Sequence, residues 1–396
     1  MSGASESSGR SVLVAEPMRC GEEHQPFNAS LLLMCLAAFP GHTILFAAES
    51  AHLRAIRAAI TDTSRIRFLP VDVAERRATG ARRLAGDWGF AGTLRHILRD
   101  ESPERLILSS VTRELLWALR ARVARGGLPP TLAIFHAGLA DAVRQRKFYL
   151  SHPLLSLRSA IVGAPRDIRF AVLEESIRAA VALKDEAVAA RIGVLPHPLP
   201  PDLLDPPEPR KLRAGGRVRI GLLGLCSPQK GLFRFLEMAK YARESGYDDL
   251  RFEIVGRLHE DVVDASRNYL AYLDRWPSCE RIPRGEYVDA VRNLDLAAFL
   301  FQGKYYELTA SGVLLDCIAL GVPLLAMDSP LFRALNSQVG RIGLMVDAGM
   351  SHEEVLNLVR STSKDQYAVM NANLSRLREL RMPDYQSRVL SQNLFS

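Results

Sequence analysis

The chain has 396 residues, 24% of them charged and 48% hydrophobic, with a formal net charge of +7. That length suits two domains, each able to bury its own core, and the well-mixed charge argues against wholesale disorder. The longest apolar stretches, Leu31–Phe39 and a run over Val313–Ala326 that Asp316 interrupts, fall short of the roughly 20 residues a membrane-spanning helix needs.

In chain order, the Ser/Gly-rich residues 1–11 carry no secretory-signal pattern and are expected to be disordered. The run SVLVA at 11–15 then predicts a buried strand. The turn-rich stretch Glu16–Asn28 follows, then a helix over Ala29–Phe39 stopped by Gly41-His42, and a second strand at Thr43–Ala48. A helix at 50–60 and a strand at Ile66–Val71 continue the alternation. Later strands are read at Arg105–Ser110, Thr131–His136, Phe170–Leu173 and Ile192–Leu195, with a helix at Glu114–Arg125. Apolar strands alternating with helices of this length predict a parallel sheet covered on both faces.

Residues 196–209 hold seven prolines in fourteen positions, too many for a helix or a central strand. Beyond them the alternation restarts, with strands at Val218–Leu223, Arg251–Val255, Leu294–Phe301 and Val322–Met327. Helices are expected at Gly231–Ser245, 258–275, Ser311–Leu320 and 352–360. The predicted class is therefore α/β with two Rossmann-like doubly wound domains, at 12–199 and 217–375, joined by a Pro-rich linker at 200–216. A C-terminal helix over 376–396 is expected to cross back to the first domain. Open sheets of this kind bind ligands outside their carboxyl ends, and both are expected to face a cleft.

The five cysteines are odd in number and show no C-x-x-C spacing, which fits a reduced, cytoplasmic chain without structural zinc. No Asp-x-Asp pair occurs, so no divalent ion carried by such a pair is expected. Two stretches carry chemistry. GLLGLCSPQKG at 221–231 puts small residues and Lys230 between a strand and a helix, where backbone N–H groups and an ammonium can face a phosphate. The plainer alternative is an ordinary loop with a solvated lysine; G-x-x-x-x-G-K-[ST] is absent. In YYELTASGVLLDCIALGVPLLA at 305–326, Ser311 and Gly312 open a helix, Ser311 as N-cap, and Asp316 follows among apolar residues. A carboxylate in that setting needs a partner. Vicinal ribose hydroxyls would serve, and so would an arginine such as Arg333.

These residues resemble the donor site of GT-B glycosyltransferases, most closely the family-4-like group, whose members carry E-x7-E followed by A-x-G-x-P. Asp316, Ala319, Gly321 and Pro323 match its second half, and Gly224, Lys230 and Gly231 match the G-R-L-x-x-x-K-G loop. FEIVGRL at 252–258, IGVLPHPL at 192–199 and the N-terminal run from Pro17 to Phe46 are similar to further segments of that family, in order along nearly the whole chain. There are departures. Leu225 stands where the family has arginine, with Arg257, Arg284 and Lys304 as candidate replacements. Leu308 stands at the first acid, with Glu307 one residue away, and only Gly21 survives in the first glycine loop.

The resemblance implies a nucleotide-sugar-dependent glycosyltransferase, retaining, with no metal and no cofactor beyond the nucleotide-diphosphate sugar. Gly224, Lys230, Arg257, Ser311, Gly312 and Asp316 would bind the donor, with Asp316 on the ribose and Lys230 on the diphosphate. Glu307 would hold the sugar hydroxyls, and His24 would sit at the reacting face. His136, which ends a strand, and Glu23, beside His24, would lie on the acceptor side. For His42 and His52 a surface or satisfied core role is expected.

Residues 1–200 carry 26 basic and 19 acidic side chains, whereas residues 201–396 carry 25 of each. The excess includes ERRATGARR at 75–83, Arg95, Arg99 and RQRK at 144–147, with Trp88, Phe90, Phe148 and Tyr149 nearby. Solvated helix faces would explain it. Otherwise the acceptor half meets an anionic membrane or a lipid-linked acceptor at the inner face. The aromatic residues do not interleave for stacking, so nucleic acid is not expected as a partner. The expected function is sugar transfer to a glycan or lipid-linked acceptor in bacterial surface polysaccharide or glycoconjugate synthesis. The alternatives are a GT-B-fold sugar-nucleotide epimerase and a non-enzymatic two-lobed sugar-binding protein.

Overall fold

A computed structural model describes residues 10–73, 80–123, 127–143, 156–208, 210, 217–278, 280–301 and 305–395. The chain divides into two compact units. One comprises Met1–Asp202, Leu308–Ala310 and Arg381–Ser396, and the other Leu203–Glu307 and Ser311–Leu380. The expectations for residues 1–9, for most of the Arg-rich stretch at 75–83, for 144–149 and for Lys304 lie outside the described residues.

The first unit holds seven strands: β1 (Ser11–Ala15), β2 (Thr43–Ala48), β3 (Ile66–Pro70), β4 (Arg105–Leu108), β5 (Thr131–Phe135), β6 (Ile168–Val172) and β7 (Ile192–Val194). They form one parallel sheet in the order β3-β2-β1-β4-β5-β6-β7. Every residue of β1 is buried, because alternate side chains enter two different cores. Leu13 and Ala15 pack with Leu94, Leu115, Ile161 and Ile177 from helices on one face. Val12 and Val14 pack with Leu31, Cys35 and Ile56 from helices Gln25–Ala38 and Ser50–Ala59 on the other. Two-sided burial is why the strands read as continuous apolar runs.

Two expectations about the basic half change here. The 22-residue helix Gly80–Glu101 was not foreseen; its stripe of Phe90, Ala91 and Leu94 packs into the core of the first unit. Phe90 belongs to that stripe, 3% exposed, and so cannot be an interfacial anchor, whereas Leu84 and Trp88 of the same helix are exposed.

The second unit has five parallel strands: β8 (Val218–Cys226), β9 (Leu250–Leu258), β10 (Leu296–Phe299), β11 (Leu324–Met327) and β12 (Gly343–Val346), in the order β12-β11-β10-β8-β9. Ile220, Leu222, Phe252 and Ile254 pack with Phe235 and Leu236 of helix Leu232–Glu244 and with Val355, Leu356, Tyr367 and Met370 of two later helices. The helix expected at 258–275 is replaced by a 3-10 turn at Glu260–Val262, a four-residue helix Val263–Ser266 and a 3-10 stretch Arg267–Tyr272. β9 runs on to Leu258, and over 260–272 only Val262 and Ser266 are buried. A longer helix would have had no face to bury. Helices Arg284–Arg292 and Pro330–Val339 and strand β12 were not anticipated.

The tail is not one helix over 376–396. Position 376 lies inside helix Lys364–Glu379 of the second unit. A separate helix Pro383–Arg388, opened by its proline, and a π-helical turn at Val389–Asn393 belong to the first unit, with Leu390 and Leu394 in its core. Arg381 starts this segment. It is 2% exposed and gives two hydrogen bonds, of 3.0 and 2.8 Å, to the buried carboxylate of Glu174. The backbone N–H of Leu199 donates to the Arg381 carbonyl. The start of the Pro-rich run is thus packed, and Pro201–Leu203 forms a 3-10 turn. Among the described residues no helix is long and apolar enough to cross a membrane.

Candidate functional site

In the first unit the loop after β1 is organised by a buried carboxylate that sequence reasoning passed over. Glu16 is fully buried. Its Oε1 accepts the N–H groups of Met18 and Arg19, and its Oε2 accepts from Asn28 Nδ2 and the hydroxyls of Ser109 and Ser110. One carboxylate therefore ties the ends of β1 and β4 to helix Gln25–Ala38. Asn28 Nδ2 also lies 2.8 Å from His52 Nε2. With one amide proton on Glu16, the other goes to Nε2, so His52 carries its own proton on Nδ1 and donates it to the Gly21 carbonyl at 2.6 Å. Glu49 caps helix Ser50–Ala59 and accepts the Gly21 N–H. His52 is a satisfied core residue, and His42 is buried with Nε2 paired to Glu104 at 3.1 Å.

This scaffold places His24 at the N-cap of helix Gln25–Ala38 with φ 55°, a left-handed conformation uncommon outside glycine. Its ring centroid lies 4.5 Å from that of His136. Phe27 packs edge-on against His136 at 4.3 Å and against His197 at 5.2 Å. Burial holds all three imidazoles neutral at physiological pH. It pulls His24 down to about 3, helped by Arg19, and His197 to about 4. His136 is also far below its ordinary value. His136 Nε2 contacts the Ser109 carbonyl at 2.8 Å, and its own carbonyl accepts the Thr309 hydroxyl. Glu23 pairs with Arg19 at 3.8 Å.

Beside His136 lies a pocket of about 290 Å³ at the carboxyl ends of β1, β4 and β5. Arg19, Ser110, Thr112, Arg113, His136 and Asp141 line it among others, with Phe135 and Leu157 as apolar wall. The structure thus brings His24 and His136 together and puts Glu23 on Arg19, and sequence reasoning missed His197 and Glu16. Glu16 could have been found as the polar residue that directly follows a fully apolar strand.

In the second unit, β8 and β9 stay paired to Cys226 and Leu258, with Gly224 opposite Gly256. A Cβ on Gly256 would stand 1.9 Å from the Gly224 oxygen, and one on Gly231, where φ is 83°, would stand 2.0 Å from the Leu300 oxygen. Only glycine lets the chain turn there. That turn places Lys230 at the mouth of helix Leu232–Glu244. Burial lowers its pKa, and no carboxylate figures among the influences on its ammonium. Arg257 is exposed and is the register partner of Leu225. It therefore puts a cation next to Leu225, which stands where the G-R-L-x-x-x-K-G motif has arginine.

A Cβ on Gly224 would lie 3.1 Å from Val313, so the first turn of helix Gly312–Ala319 sits against this loop. Ser311 caps that helix by accepting the Leu314 N–H, and the space above Gly312 is open. Asp316, 6% exposed, is bonded by Arg284 Nη2 at 2.8 Å. The arginine is therefore Arg284, not Arg333, which pairs with Asp328. Glu307 is half-buried. Leu308, at the family's first acid position, packs with the apolar core of the first unit. Among the described residues no group of three or more His, Cys, Asp and Glu is arranged to hold a metal.

No protein-family model and no curated protein sequence matches the chain. Solved structures do match. A trehalose-6-phosphate synthase, studied for glycosyltransfer with retention through bisubstrate glycomimetics, is similar at 12% identity and TM-score 0.62, over 97% of this chain and 98% of its own. HepE of Anabaena in complex with UDP is similar at 14% identity and TM-score 0.63, over 98% and 99%. A glycosyltransferase from Rickettsia africae is similar at 9% identity and TM-score 0.66, over 98% and 99%. These likenesses run the length of both sheets, and the chain has the GT-B fold.

Proposed function

We propose that this chain is a glycosyltransferase that moves a sugar from a nucleotide-diphosphate donor, held by the second unit, to a glycan or lipid-linked acceptor. The observation that carries this reading is the arrangement at the carboxyl ends of β8 and β9. A glycine-built turn, Lys230, Arg257 and the capped start of helix Gly312–Ala319 are gathered there. Cations and helix N–H groups of this kind stabilise the charge that grows on a leaving diphosphate. Asp316 serves the ribose and Glu307 the donor sugar. On the first unit His24, His136 and Glu23 stand by the polar pocket and serve the acceptor. A neutral imidazole there can give or take a hydrogen bond from a hydroxyl without adding charge.

Transfer with retention is in keeping with what is said of the trehalose-6-phosphate synthase, and UDP is the nucleotide bound by HepE. We assign the reaction no metal, because Lys230, Arg257 and the helix start take the diphosphate charge themselves. A role in bacterial surface glycoconjugate synthesis, peripheral to the inner face of the membrane, fits the exposed Leu84 and Trp88 on the Arg-rich helix Gly80–Glu101. The test is a melting-shift screen of UDP-, GDP-, ADP- and dTDP-sugars. One donor is expected to stabilise the protein, and Lys230→Ala to abolish that shift. If no donor stabilises it, the reading fails.

A further inference from the structure

The pocket beside His136 has walls that the buried Glu16 carboxylate fixes from two sides. Glu16 Oε1 pins the backbone N–H groups of Met18 and Arg19, and its Oε2 holds the Ser110 hydroxyl. Met18, Arg19 and Ser110 all line the pocket. Arg19 is therefore set in place by its backbone rather than by its guanidinium. Its Nε is buried and, among the described residues, has no hydrogen-bond acceptor, while Nη1 lies 3.8 Å from Glu23, beyond hydrogen-bond reach. A buried guanidinium N–H costs free energy unless something accepts from it. The other charged groups of the wall are engaged. Arg113 gives two hydrogen bonds to Glu114 Oε1, of 3.0 and 2.5 Å, and Asp141 has a partner of its own.

Two further features of the wall fit a phosphorylated sugar. Thr112 caps the 11-residue helix Arg113–Val123 by accepting the Leu115 N–H. The N–H groups of Arg113 and Glu114 come before any intrahelical acceptor and so point out of the helix mouth. With Arg19 they make a donor set of the kind a phosphate takes. His136 donates from Nε2 to the Ser109 carbonyl, which can only accept, so its Nδ1 is unprotonated and accepts from a hydroxyl. We propose that this pocket takes an acceptor sugar bearing a phosphate, with Arg19 and the mouth of helix Arg113–Val123 on the phosphate and His136 on a sugar hydroxyl. The phosphate belongs either to a soluble sugar phosphate or to a sugar linked through diphosphate to a lipid. The transfer to such an acceptor rests on the glycosyltransferase reading above; the binding does not.

The experiment is calorimetry on the full chain, with and without UDP, GDP or ADP. The probes are glucose, mannose and N-acetylglucosamine, each neutral, as its 1- and 6-phosphates, and linked through diphosphate to a short isoprenyl chain. At least one phosphorylated probe is expected to bind about tenfold or more tighter than its neutral counterpart, the value of one charge-assisted hydrogen bond. Whether the tightest is soluble or isoprenyl-linked identifies the source of the phosphate. Arg19→Ala is expected to bring that ratio to within about twofold with the neutral sugar unchanged, and Arg19→Lys to keep part of it. Arg19→Gln is read in place of the alanine variant should that one fail to fold. Equal binding of every phosphorylated probe and its neutral counterpart overturns the proposal, as does binding of none, or an unaltered ratio in a folded Arg19→Ala or Arg19→Gln protein. Failure of every nucleotide to bind, with the phosphorylated sugar still held through Arg19, removes the glycosyltransferase reading and leaves this site standing.

Discussion

The three imidazoles around Phe27 make the stability of the first unit depend on pH in a window that few other groups share. In the unfolded chain each histidine titrates near its ordinary value of about 6.5, whereas in the folded unit His24 sits at about 3 and His197 at about 4. Because the folded values are depressed, the unfolded chain binds more protons below about pH 6.5, and stability falls as pH falls from there towards the folded values. Between about pH 7.5 and pH 5 each such imidazole costs about 2 kcal/mol, so His24 and His197 together cost about 4 kcal/mol, and His136 adds to this. Carboxylates with depressed values, such as Glu104 beside Arg10 and His42, lose their contribution only as pH falls below their unfolded value near 4.5, outside this window. The assay is urea unfolding at the two pH values, followed by fluorescence in a Trp276→Phe background. Trp276 belongs to the second unit, so the remaining tryptophans, Trp88 and Trp117, report the first. His197→Gln is expected to remove about 2 kcal/mol of the pH difference. A total pH difference under about 1 kcal/mol in the parent protein would refute the burial of neutral imidazoles.

Other perturbations have equally definite outcomes. Arg381→Ala leaves the Glu174 carboxylate buried without its guanidinium and is expected to destabilise the first unit by about 3–5 kcal/mol in denaturant melts, whereas Arg381→Met with Glu174→Leu recovers most of that. Gly231→Ala forces a Cβ into the Leu300 carbonyl at a positive φ, with an expected cost of at least about 1–3 kcal/mol in the second unit and loss of donor binding. Lys230→Ala is expected to weaken a nucleoside diphosphate by about tenfold or more while leaving the free nucleoside unchanged, as calorimetry would show. Liposome sedimentation with vesicles containing phosphatidylserine is expected to show salt-sensitive binding that falls when Leu84 and Trp88 are both changed to Ser.

The alternation of apolar strands and helices was readable because a strand buried on both faces leaves a continuous apolar run, as SVLVA and TILFAA do. The helix Gly80–Glu101 escaped because its arginines outnumber its buried stripe, and the helix Arg284–Arg292 because it buries only Val288, Ala290 and Val291. The glycine turn and Ser311-Gly312 were visible since only particular residues permit such backbones. Pairings across the chain were not. That Asp316 belongs to Arg284, or that Glu16 meets Asn28 and the two serines just past β4, depends on which elements become neighbours, and local sequence carries no such information. The apolar Leu308 in place of an acid was plain from the sequence, but its packing into the core of the first unit was not.

The account's central claim is that the carboxyl edge of the second sheet holds the diphosphate of a nucleotide sugar. The direct measurement is calorimetric titration of wild type and Lys230→Ala with UDP, GDP, ADP and dTDP. The account predicts that wild type binds one of them with a dissociation constant of about 1 mM or tighter and that the variant loses about tenfold or more. Binding of none, or equal binding by the variant, would contradict it.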